Sequence, residues 1–198
     1  MKNKILYGII GLVAIISIIY SFSGGQTEEE YIQEIEELRK EADRFMRNSE
    51  ESPFNDSNIK YEGLKYFPPD RAYEIKARFA PIEEPVIYTL PTNDGKARQY
   101  LTYGHAEFKI DGKQQKLLIL ENVEENKLFL PFGDATSADE TYGGGRYMDV
   151  THTGGNTIEL DFNKAYNPYC VYNANYTCPL PPKENLMEVA IKAGEKNY

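Results

Sequence analysis

The sequence predicts a mainly β fold, an antiparallel β-sandwich or small barrel, with an N-terminal membrane segment and one amphipathic helix in front of it. Three observations carry that expectation. Beyond residue 57 the apolar residues recur at every second position, as they do on a strand with one buried face. Turn-formers divide these runs, and no helical pattern intervenes between them, which suits a sandwich or barrel. Ahead of them stands an uncharged apolar run of 18 residues, followed by one stretch of helical period.

The apolar run is Ile5 to Phe22, ILYGIIGLVAIISIIYSF, with Lys2 and Lys4 before it. At ~1.5 Å per residue its length just reaches a membrane span. It reads as an uncleaved anchor, or as a signal peptide cut near Ser23, where Ser21 and Ser23 supply the small residues. Under either reading the flanking charges leave the domain outside the cytoplasm, at the cell envelope or secreted to the periplasm. Residues 1–26 form this segment, 27–52 a helix and linker, and 53–198 the β domain.

Thr27 with Glu30 makes a capping box that opens the helix, and Glu28, Glu29 and Glu30 suit the positive end of its dipole. Tyr31, Ile35, Leu38, Ala42 and Phe45 form one apolar stripe, too short for a stable coiled coil and therefore expected to pack on the chain's own domain. Strands are predicted at Tyr73–Phe79, Val86–Leu90, Ala106–Ile110, Leu117–Leu120, Lys127–Phe132 and Thr157–Phe162. Asp111-Gly112 marks a hairpin. LMEVAIKAGEK is expected to form one last strand or a short helix.

Net charge is −9, and because the first 27 residues hold only Lys2 and Lys4, the remainder is near −11. Such a surface repels phosphate backbones, so no nucleic acid is expected as a partner, and docking of the folded part on anionic lipid is disfavoured. The expected partners are the membrane, through Ile5–Phe22, and a small polar or anionic ligand.

Two stretches could carry chemistry. In ETYGGGRYMD, Gly143 to Gly145 followed by Arg146, with Tyr142 in front, could hold an anion on backbone amides and a guanidinium. The plainer reading is a tight turn with Arg146 paired to Glu140 or Asp149. In DFNKAYNPYC, Asp161, Asn163, Tyr166 and Asn167 crowd just past a strand end. Cys170 and Cys178, eight apart in an exported chain, most simply make a disulfide; reactive thiols and a metal site are the alternatives. CxxC spacing is absent and only His105 and His152 could complete a zinc site, so neither metal nor cofactor is expected. Asp161 or Glu140 could serve a hydrolase as general base, although nothing in the spacing selects them.

ETYGGGRYMD, LDFNKAYNPYC and CPLPPKENLMEVAIKAGEK, in that order, resemble the bacterial family catalogued as domain of unknown function 1684, with weaker likeness in YEIKARFAP and FGDAT. The resemblance covers roughly Pro53 to Lys196 and implies no activity or cofactor. It does imply that Tyr142, Gly143, Gly145, Arg146, Asp161, Asn163, Tyr166, Asn167 and Cys170 belong to the family pattern. Tyr169 departs from it, since relatives often carry a second proline there. Together these readings predict a polar pocket floored by the glycine turn and the Asp161–Asn167 segment. The alternatives are a small enzyme and a purely structural envelope protein.

Overall fold

Helix α1 spans Glu28–Asn48 in a computed structural model of the chain that describes residues 26–55 and 59–198. The expected membrane segment falls outside these residues, and none of the described helices is long and apolar enough to cross a membrane. The capping box forms as its residue types dictate. The Glu30 amide donates to Thr27 Oγ1 at 3.2 Å, and the Thr27 amide donates to Glu30 Oε2 at 2.8 Å. Of the apolar stripe, Tyr31 and Ile35 are buried against the β domain, while Leu38 stays 41% exposed.

Seven antiparallel strands follow: β1 (Glu74–Pro81), β2 (Ile87–Pro91), β3 (Ala97–Ile110), β4 (Lys113–Asn122), β5 (Lys127–Phe132), β6 (Arg146–Val150) and β7 (Thr157–Asp161). They make one sheet in the order β6-β5-β4-β3-β1-β7, with β2 also on β3. Of the sandwich and the small barrel expected, the fold is nearer the second: one sheet, not two facing ones, curls into a half-barrel. Its near-closure is visible where the chain after β7 bridges back to β6, Tyr147 pairing with Tyr166 through amide bonds of 2.9 and 3.0 Å.

The hairpin signal between β3 and β4 is realised. Asp111 (φ 49°) and Gly112 (φ 75°) both take the left-handed conformation that a primed two-residue turn demands. Strand β3 is longer than its alternating pattern shows, because a bulge at Tyr103 interrupts the register between Thr102 and Gly104. The extra residue reverses which parity faces inward: Tyr100 lies on the outer face, Ala106 and Phe108 on the inner one. Only glycine fits after the bulge, since a Cβ on Gly104 would come within 2.5 Å of the Phe79 ring.

The inner face packs Ala77, Phe79, Leu117, Ile119, Leu130 and Phe132 into the main core. The mouth of the half-barrel is closed by the C-terminal segment, which forms neither the strand nor the helix expected. Residues 186–193 run extended, with Met187, Val189, Ile191 and Ala193 buried at every second position. This strap, which continues to residue 196, is held by main-chain bonds to Gly133, Ala135 and Ala165. Asn185 fastens its start: fully buried, it accepts from the Leu118 amide at 2.7 Å and donates to the Leu118 and Pro131 carbonyls at 2.9 and 2.8 Å.

Candidate functional site

The glycine turn does not present Arg146 to a ligand. Arg146 is the first residue of β6, and its side chain points into the interior, 1% exposed. Its Nη2 donates to Asp134 Oδ2 and the Ile191 carbonyl, both at 2.9 Å, and Nη1 donates to the carbonyls of Glu195, at 3.1 Å, and Ala193. Burial lowers the basicity of the guanidinium and Asp134 opposes that, so the two form a desolvated pair locking the strap to the sheet. The partner is Asp134, not the Glu140 or Asp149 that the sequence suggests. Gly145 (φ 86°) is required for the turn itself, because a Cβ there would meet Pro181 at 2.5 Å and the Phe132 carbonyl at 2.6 Å. Gly143 packs on Ala138, and Glu140 pairs with Lys192 at 2.7 Å.

The Asp161–Asn167 segment is engaged in the same manner. Tyr31 of α1 donates to Asp161 Oδ1 at 2.9 Å, and Asn163 Nδ2 donates to the Tyr31 hydroxyl and the Asp70 carbonyl, each at 2.8 Å. Lys164 Nζ stands 3.4 Å from the second Asp161 oxygen and 3.2 Å from Glu34. These residues dock α1 onto the end of β7. Asn167 serves the strap: its amide donates to Glu195 Oε2 at 2.9 Å, and its Nδ2 to the Lys196 carbonyl at 2.8 Å. Glu195 is 1% exposed, also accepts from the Tyr172 hydroxyl, and burial pushes its carboxyl up to about 7. Residue spacing gave no hint of this acid.

The expected disulfide is not formed; Cys170 and Cys178 are free thiols. They are nonetheless neighbours, because the turn at Tyr169–Val171 aims the Cys170 amide at Cys178 Sγ, 3.2 Å away. The Cys170 thiol also donates to that sulfur, and the Tyr142 hydroxyl lies against Cys170. The hydrogen bond from the Cys170 thiol draws the Cys178 thiol down to about 7, against the effect of burial, with help from the Cys170 amide and Arg98. The Cys170 thiol is raised, chiefly by the same hydrogen bond.

One large cleft, about 730 Å³, opens on the outer face of the sheet. Period two builds its floor: Arg98 and Tyr100 on β3, Lys127 and Phe129 on β5, Tyr147 and Asp149 on β6. Tyr166, Tyr169, Tyr176 and Cys178 form one wall, and Ile35, Leu38, Ala42 and Phe45 of α1 another. Arg39 also lines it, its guanidinium 4.5 Å from the centre of the Tyr66 ring. The apolar stripe of α1 thus divides between docking and lining the cleft. Of the predicted pocket residues, Asn163 and Tyr166 line this cleft, whereas Tyr142, Gly143, Gly145, Arg146, Asp161 and Asn167 do not. Arg98, Tyr100, Phe129 and Tyr147 were the residues missed: only Phe129 lies in a predicted strand, and the other three sit in the first half of β3 and in β6, whose pattern is hidden. Among the described residues no group of three or more His, Cys, Asp or Glu could hold a metal ion.

Residues 59–196 match the family described as "Protein of unknown function (DUF1684)". The chain belongs to that family. Within reach of DUF1684 there is a solved relative, the solution NMR structure of an uncharacterized protein from Haloarcula marismortui. It is 35% identical, with 85% of this chain and 95% of that chain covered, at a TM-score of 0.66. No curated protein matches this DUF1684 chain.

Proposed function

We propose that this protein is a small-molecule-binding domain, tethered at the cell envelope through Ile5–Phe22, whose site is the outer-face cleft. The ligand carries a flat apolar part and an anionic group. The observation behind this reading is the cleft itself: about 730 Å³, with aromatic rings and the cations Arg98 and Lys127 on its floor. Among the described residues neither Arg98 nor Lys127 is in an ion pair, so both are available to an anion. Relative to the sequence-based pocket, the anion contact moves from Arg146 to these two residues, and Asn163 and Tyr166 are retained.

The test is thermal shift of the full-length chain in mild detergent against a panel of small aromatic and sugar carboxylates and phosphates. A binder raises the midpoint, and the Arg98→Ala/Lys127→Ala variant loses that rise while keeping its own unliganded midpoint. A rise that survives the double substitution would place the ligand elsewhere. Protease accessibility of the domain in intact cells checks the tether, since a domain outside the cytoplasm is cleaved without lysis.

A catalytic reading draws its support from Glu195, a cleft-lining carboxyl near neutrality, rather than from Asp161 or Glu140, which are tied into ion pairs. Turnover of any bound compound that disappears in Glu195→Gln, with binding retained, would favour it.

A further inference from the structure

We infer that Cys178 and Cys170 form a reactive dithiol on the cleft wall that exchanges with small disulfides, Cys178 attacking and Cys170 resolving. The geometry supplies both roles. Cys178 Sγ accepts from the Cys170 amide at 3.2 Å and from the Cys170 thiol, an arrangement that stabilises negative charge on Cys178 and keeps the proton on Cys170. Arg98 adds positive charge from the cleft floor, while the Tyr147 hydroxyl gives its proton to the Pro179 carbonyl. Cys178 is buried yet lines the cleft, so a reagent reaches it from that side. The other groups facing the pair are Tyr142, against Cys170, and Tyr100, near Cys178, both held protonated by burial. The carboxylates Asp149, which accepts from the Tyr166 hydroxyl at 3.0 Å, and Glu125 line the same cleft.

The chemistry balances with a small disulfide RSSR as the oxidant. The Cys178 thiolate attacks one sulfur, forming a mixed disulfide and expelling RS⁻. Cys170 then loses its proton and attacks Cys178 Sγ, forming the intramolecular bridge and expelling the second RS⁻. Two thiols are oxidised and one disulfide is reduced to two thiols. The reverse sequence turns the oxidised protein into a donor of its bridge, and the poise of the compartment sets the direction. A thiolate near ambient pH is close to the best attacking group for such exchange. The inference does not depend on the anionic ligand proposed above, since exchange is read without it.

The probe is glutathione disulfide, applied to the full-length chain in mild detergent after reduction. Wild type is expected to lose both thiols and keep no adduct, whereas Cys170→Ser retains glutathione on Cys178, and Cys178→Ser gains little on Cys170. In unmodified protein near pH 7, iodoacetamide is expected to label Cys178 at least about tenfold faster than Cys170, a readout that needs no variant to fold. Equal labelling rates would overturn the inference, as would first adduct formation on Cys170. So would a bridge that resists excess dithiothreitol in the native protein, because that behaviour belongs to a structural cross-link.

Discussion

Replacing Arg146 by Met keeps an apolar stem of similar length but removes every donor from the buried pair. Asp134 is then left inside the domain with its charge uncompensated, although it keeps the Thr136 hydroxyl and amide and the Ile191 amide as donors. Three strap carbonyls, those of Ile191, Ala193 and Glu195, lose their partner at the same time. Breaking a buried pair from one side costs about 3–5 kcal/mol, and domains of this size hold only about 5–15 kcal/mol in all. Urea unfolding followed by circular dichroism is the assay. With a slope of about 2 kcal/mol per molar, a loss near 4 kcal/mol lowers the midpoint by about 2 M without changing the slope. The Arg146→Met/Asp134→Leu variant should recover half or more of that loss, because no buried charge remains unmatched. A single variant with a loss under about 1 kcal/mol would refute the structural role. A wild-type midpoint joined to lost ligand binding would restore the anion-contact reading instead.

Two further outcomes are expected. Tyr31→Phe removes the hydroxyl that bridges Asp161 and Asn163, costs about 1–2 kcal/mol, and loosens α1; faster amide exchange confined to 28–48 would show this, and unchanged exchange would sink it. Glu195 has a folded carboxyl raised from 4.5 to about 7, so the folded state binds the extra proton between those values. That contribution is fully present below pH 4.5 and is lost as pH rises through about 7, a change of about 3 kcal/mol at most. Glu195→Gln should flatten the stability profile across that window, and an unchanged profile would assign the slope to other groups.

Much of the scaffold was legible because its signals are local. Thr27 and Glu30 are three residues apart, Asp111-Gly112 is a two-residue turn, β1 and β7 alternate within themselves, and β4 and β5 each carry a short apolar run. One strand, β6, and the first half of another, β3, were hidden for physical reasons. In β6 the outward Tyr147 is covered by the Tyr166 segment and an inward position is taken by Arg146, so RYMDV shows no apolar-in, polar-out alternation. In β3 the extra residue at Tyr103 breaks the period in two. The site was harder, because a charge after three glycines looks the same whether its partner is a ligand or Asp134, which only folding brings opposite. Likewise, the cysteine spacing indicated proximity, while the oxidation state depends on where each sulfur points. The asparagines that follow β7 have structural partners: Asn163, Asn167 and Asn173 each donate to a loop carbonyl.

The strap at 186–196 also bears on the order of folding. The β3–β4 hairpin joins near neighbours in sequence, whereas the strap joins segments around Lys65, Gly133 and Ala165 that lie far apart along the chain. Its contacts can form only after those loops have closed, which places them late on the pathway. Weakening the strap, as Arg146→Met does, should therefore leave the refolding rate nearly unchanged and accelerate unfolding, so the unfolding limb of the chevron carries the whole effect. A slowed refolding limb would instead put the strap in the nucleus. The lifetime of the native state is thus governed by how long the strap stays seated.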